Sequence, residues 1–127
     1  MQEQMVEFYS DGSRMSGILR SPDDPTNRCP AIVQGPGWLG LKDAKLYLPY
    51  HEALTGAGYQ VLIFDYRGFG ASQGSPRQRV RVADQVDDYR AAVTAAQRLP
   101  GVDASRVVLW GVSLAGGHVL QVATGRD

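Results

Sequence analysis

In VVLWGVSLAGGHVL, residues 107–120, an apolar run stops at Gly111. A lone serine follows at Ser113, and small residues then lead into a second apolar pattern. A serine on such a strand-to-helix corner sits in a tight, strained turn. The turn pushes its hydroxyl out above a sheet, where it can attack an acyl carbon. The corner also puts Ser113 at a helix N-terminus, so backbone N–H groups and the positive end of the helix dipole face any negative charge developing there. Gly111, Ala115, Gly116 and Gly117 supply the small residues that let strand and helix backbones pass close together. The plainer reading makes Ser113 a helix cap, which leaves the small residues on both sides unexplained.

The elements that must hold this corner follow from periodicity. Residues 4–9 and 14–20 read as two strands of a hairpin turning at Ser10-Asp11-Gly12-Ser13. SPDDPTNRCP is a polar, proline-rich loop. AIVQ (31–34), VLIF (61–64) and VVLW (107–110) are apolar runs expected of strands buried on both faces. Between them lie three helices. The first starts with Pro49 in its opening turn, carries an apolar face of Tyr47, Tyr50, Leu54 and Ala57, and stops at Gly58. The second follows Val82, Val86, Tyr89, Val93 and Ala96 and ends near Pro100-Gly101. The third runs from Leu114 through Val119 (or His118) and Val122. Strand-helix alternation after a leading hairpin predicts an α/β fold. Its sheet is mostly parallel, with helices on both faces and right-handed crossovers.

With those elements in place, the chain resembles the α/β-hydrolase superfamily, and within it the dienelactone-hydrolase-like and X-Pro-peptidase-like (S15) esterases. Three segments carry the resemblance: PGWLGLK after the first buried strand, FDYRGFGASQG after the second and WGVSLAGGHVL after the third. They agree in order and spacing and cover most of residues 30–122. The resemblance implies a serine hydrolase with Ser113 as nucleophile and no metal or organic cofactor. The substrate is then a small-molecule ester, thioester or amide. Ala115 stands where the family's elbow has glycine, and a slightly wider strand-helix gap is expected there.

Acyl transfer also needs fixed N–H donors for the carbonyl oxygen. The resemblance assigns one to the residue after the nucleophile, Leu114, and one to the loop after the first buried strand. Matching QG to the family pattern gives Pro36, which has no N–H. Matching PG gives Trp38, which does, with the alternative that its ring roofs or packs. GFGASQG (68–74) has the look of a dinucleotide loop, but Ser75-Pro76-Arg77 separates it from any helix. It reads instead as a structural loop fixed by Asp65 and Arg67, paired with each other or bonded to backbone.

A base and an orienting acid should follow Ser113 in this fold. The remaining residues hold only His118 and the terminal Asp127. His118 is five residues on, about 140° around the axis and roughly 7.5 Å along it, so it points away from the hydroxyl and reads as a packed helix residue. His51 is outside the expected order and reads as exposed. The resemblance implies complete members about twice this length. The 127 residues therefore read as a single incomplete domain, the N-terminal half of a hydrolase, inactive alone. VVLW then becomes an open sheet edge that invites self-association or a second chain, and with it poor solubility.

Composition narrows the alternatives. Thirteen basic and thirteen acidic residues cancel, leaving no field to draw nucleic acid or an anionic membrane. No run of about 18 apolar residues spans a bilayer, and the N-terminus is unlike a signal peptide, so a cytoplasmic location is expected. Cys29, the one cysteine, allows no internal disulfide or cysteine cluster and reads as a loop or packing residue. Two rivals to the enzyme stand: a non-catalytic pseudo-hydrolase or assembly module, and a nucleotide-binding α/β module.

Overall fold

The computed structural model describes residues 1–24 and 27–125. Five strands form one sheet in the order β1-β2-β4-β3-β5. β1 (Gln2–Ser10) and β2 (Ser13–Ser21) pair antiparallel from Gln2↔Ser21 to Ser10↔Ser13. The two-residue turn between them has Asp11 and Gly12 at φ 47° and 78°, the left-handed pair that matches the twist of a hairpin. β2 joins β4 (Gln60–Phe64) antiparallel. β4, β3 (Cys29–Gln34) and β5 (Val102–Trp110) are parallel to one another.

Helices cover both faces. α1 (Leu48–Gly56), preceded by a short 3₁₀ turn at Lys45–Tyr47, lies over β2 and β4. α2 (Val82–Gln97) and α3 (Leu114–Thr124) pack together on the opposite face. The larger core forms there, where Val86, Tyr89, Ala92, Val93 and Ala96 of α2 meet Phe8, Leu19, Val33, Leu62 and Phe64 of the sheet. All five residues of β4 are buried, as a central strand between two helical layers requires.

The structure corrects several readings. The buried residues of α1 are His51 and Thr55, while Tyr50 and Ala57 are exposed and Leu54 is half-buried. The helix turns a polar face to the sheet because Arg20 of β2 and Gln34 of β3 lie there to receive His51. Val82, at the first position of α2, is exposed. Cys29 is the buried first residue of β3, so it packs and is not in a loop. β5 begins five residues earlier than the apolar run suggests, because Cys29 N–H bonds Gly101 O (2.9 Å) and Cys29 pairs with Val102 before the register shifts. β5 is also only partly buried, with Val108 47% exposed, because it is an edge strand paired on one side by β3. No helix is long and apolar enough to cross a membrane, among the described residues.

Candidate active site

The β5–α3 corner is built on a steric demand. A side-chain carbon on Gly111 would lie 2.5 Å from Ala115 C and closer still to its carbonyl oxygen. Strand and helix backbones therefore meet at Gly111 and the fully buried Ala115. The methyl of Ala115 is accommodated without losing the turn. Gly116 and Gly117 prove less constrained than the sequence suggested. An added carbon would sit 3.6 Å from Gly111 O at the first and meet nothing within 4 Å at the second.

Ser113 occupies the N-cap position of α3 at φ 61°, ψ −126°. Positive φ is unusual for serine and is a strained geometry that clusters at functional sites. Its side chain is exposed and makes no capping hydrogen bond, so capping does not account for it. The Leu114 N–H, directly after it, has no acceptor among the described residues, since α3 begins its bonds with Ala115 N–H to Val112 O and Gly116 N–H to Ser113 O.

The loop after β3 reaches this corner through Gly37. An added carbon there would lie 3.4 Å from Val112 O and 3.6 Å from Ser113 Cβ. Gly37 N–H donates to the Tyr47 hydroxyl (3.3 Å). The next N–H, that of Trp38, has no acceptor among the described residues. Trp38 is 66% exposed. Two unengaged N–H groups thus stand next in the chain to this contact: Leu114, directly after the exposed serine, and Trp38, directly after Gly37.

The GFGASQG loop closes on Asp65, at the end of β4. Asp65 Oδ1 accepts from Lys42 N–H (2.8 Å), and Oδ2 accepts from Lys42 Nζ (2.7 Å) and Ala71 N–H (3.0 Å). Gly70, at φ 51°, has no room for a side chain because the Asp65 carboxylate fills it. Gly70 thus serves a buried carboxylate, and α2 opens only at Val82, so no helix N-terminus follows the loop as a dinucleotide site requires. Asp65 and Arg67 do not pair with each other. Arg67 turns to Asp88 of α2, with Nη2 to Oδ1 at 2.9 Å and backbone N–H to Oδ2 at 2.8 Å, and Ser10 Oγ donates to the same carboxylate (2.7 Å).

Both histidines are held away from the serine. His118 is 2% exposed and bonds Gln85 Oε1 through Nε2 at 2.7 Å, the packed helix residue expected. His51 is fully buried, against expectation. Arg20 Nη1 can only donate, so His51 Nδ1 accepts (2.7 Å) and Nε2 carries the proton toward Gln34 Oε1 (2.6 Å). The rings of Tyr47 and Trp110 flank it, and Glu3 pairs with Arg20 from the outer side. Burial, then the Arg20 charge, push its pKa down to about 4, with Glu3 opposing. Asp127 lies outside the described residues.

A pH dependence follows. The unfolded chain takes up a proton at His51 near pH 6.5, and the folded chain only near 4. Stability is therefore expected to fall as pH drops across that window, by about 3 kcal/mol. His118, also shifted down by burial, adds in the same direction. Urea midpoints at pH 7, 5.5 and 4.5 should show this slope in the native chain and a clearly flatter one in His51→Gln. Equal slopes would refute the assignment.

Residues 40–127 match the family described as Serine aminopeptidase, S33 (Hydrolase_4). The chain belongs to this family of α/β-hydrolases. The sequence motifs had pointed to the dienelactone-hydrolase and S15 branches; the family matched is S33. This S33 chain is 39% identical over 118 residues to the quorum-quenching protein AidA of Acinetobacter baumannii, covering 93% of the chain and 38% of that relative. It is 38% identical over 120 residues to the thiohydrolase aneE of Aspergillus aculeatus, covering 93% and 36%. Among solved structures, it superposes on DcsB, determined with a substrate analogue, at TM-score 0.90 and 31% identity, covering 98% of this chain and 42% of that one. The α/β-hydrolase GrgF from Penicillium gives TM-score 0.90 and 31% identity, covering 99% and 43%. The chain thus spans about two fifths of the length of these relatives, less than the half the motifs suggested.

Two parts of this site were not read from the sequence as such: the Lys42–Asp65 pair and the Asp88–Arg67 pair. The available signal was weak. Asp88 carries no motif of its own and stands beside Tyr89, which reads as one more core residue in the apolar stripe of α2.

Proposed function

We propose that this chain carries the nucleophile and oxyanion-binding part of a serine hydrolase. The observation that carries the reading is Ser113 itself: strained, exposed and without a capping bond, with the unengaged Leu114 N–H after it and the Trp38 loop approaching through Gly37. Ser113 Oγ attacks the acyl carbon of an ester, thioester or amide while a base takes its proton. The two N–H groups hold the oxygen that becomes negative. The leaving alcohol, thiol or amine departs with that proton, and water then releases the acyl group from Oγ and restores the hydroxyl. The base is a histidine oriented by an aspartate, both supplied from outside these 127 residues, because His51 and His118 are engaged elsewhere. The domain is then completed by strands added at β5, from a continuing or a second chain. A thioester fits the relative named as a thiohydrolase.

The rival reading, a non-catalytic assembly module, draws on the two committed histidines and the open β5 edge. Fluorophosphonate labelling read by intact mass, with Ser113→Ala as control, separates the two. In a polypeptide or complex that includes the segment bearing the late histidine, labelling at Ser113 is expected. In the 127-residue chain alone it should be slower by about 10⁴-fold or more, the usual loss when a triad lacks its base. A folded sample containing that segment that stays unlabelled sinks the nucleophile.

A further inference from the structure

We infer that Tyr89, with Tyr66 beside it, is a positioning residue that sets the distance between the two oxyanion donors. The inference rests on the serine-hydrolase reading for its purpose, though not for its geometry. The β3–β5 ladder ends at the pair Gln34↔Trp110. One residue later the strands part into the two loops that present Trp38 and Leu114, and no ladder bond holds them together. The Tyr89 hydroxyl stands in that gap. It accepts from Gly35 N–H at 2.7 Å and donates to Trp110 O at 2.7 Å, with Gly35 O a more distant acceptor at 3.3 Å. A hydroxyl has one proton and two lone pairs, so one group closes the bridge that the backbone leaves open.

Tyr66 holds the neighbouring residue, donating to Pro36 O at 2.8 Å. Each ring is locked edge-on against Phe64, at centroid distances of 5.2 and 5.3 Å, and against His118 at 6.0 and 6.4 Å. Both tyrosines are essentially fully buried. Gly35 is the matching requirement on the loop. A side-chain carbon there would lie 2.7 Å from the Tyr89 ring and 2.8 Å from Tyr66 Cζ, and closer still to the Tyr66 hydroxyl. Burial raises both hydroxyl pKa values, so both stay protonated donors at any pH the fold meets. A rigid aromatic on a packed helix thus carries one hydrogen-bond bridge between two loops whose spacing catalysis depends on, where an ångström of misplacement matters.

The test is amide NMR on the 127-residue chain with Tyr89→Phe and Tyr66→Phe. Tyr89→Phe should move both the Leu114 and Trp38 amide resonances and speed their hydrogen exchange at least tenfold, leaving the β1–β2 hairpin unmoved. Tyr66→Phe, which frees only Pro36 O, should move Trp38 and spare Leu114. The second variant keeps the test decisive if the first does not fold. A lowered urea midpoint with both resonances in place would overturn the inference and leave the tyrosines as stability residues only. Labelling is scored separately. Where the native site labels, Tyr89→Phe should slow it about tenfold to a hundredfold. Moved amides with no labelling anywhere would sink the serine-hydrolase reading and leave the bridge standing.

Discussion

Replacing Asp88 with alanine is expected to destabilise the fold by about 3–5 kcal/mol, the usual cost of removing one partner from a buried ion pair. Asp88 is fully buried on α2 and gathers groups from two other parts of the chain. Ser10 comes from the end of β1, and the Arg67 guanidinium and the Arg67 backbone N–H come from the loop after β4. Truncation leaves that N–H and the Ser10 hydroxyl without their acceptor. It also leaves an 85%-covered guanidinium whose remaining carboxylate partners are the exposed Asp11 at 3.2 Å and Asp84 at 3.7 Å.

The carboxyl pKa is nevertheless raised, by burial first, against the pull of the Arg67 and Ser10 bonds. A carboxyl whose folded pKa lies above its unfolded value contributes stability below the unfolded pKa and loses it as pH rises through the folded one. Ionising the Asp88 carboxyl therefore works against its burial, while the same carboxylate raises the pKa of its partner Arg67. The double replacement Asp88→Leu with Arg67→Met should accordingly be milder than Asp88→Ala alone. Urea unfolding at pH 7 checks both. A single variant within about 1 kcal/mol of the native chain, or a double variant worse than the single, would refute the account.

What was legible in the sequence divides along a physical line. Features dictated by neighbours in the chain could be read: the Asp11-Gly12 turn, the continuous apolar run of β4, the 3.6-residue stripe of α2 and the small-residue corner around Ser113. Features created by distant partners could not. His51 gives no local sign of burial, because the groups that receive it, Arg20 and Gln34, stand 31 and 17 residues away. Asp88 is a residue type seldom buried without a partner, and its partners Arg67 and Ser10 stand 21 and 78 residues away. Tyr89 was visible as a core residue, yet its hydroxyl is what spans the two loops. The same division explains β5. Its apolar residues announce a buried strand, but it stands at the sheet edge, paired on one side only by β3.

The corner itself makes the sharpest prediction. Gly111→Ala should destabilise the chain by about 3 kcal/mol, at the upper end of overpacking costs, and shift Ser113 from its place. The new carbon meets the Ala115 carbonyl group, which is backbone, so no rotamer change relieves it. The first turn of α3 would have to withdraw by roughly 1 Å to restore van der Waals distance. That is the turn holding Ser113 at φ 61° and aiming Leu114 N–H. Gly117→Ala is the counterpart. It lies in the same helix with nothing within 4 Å of the added carbon, and glycine there loses backbone entropy on folding. It should stabilise by about 0.5–1 kcal/mol. Gly116→Ala, with its contact at 3.6 Å, should be tolerated. Thermal unfolding of the three variants orders them directly. If Gly111→Ala matched Gly117→Ala in stability and left the Ser113 amide resonance unmoved, the corner would not be held by close strand-helix contact, and the strain at Ser113 would need another cause.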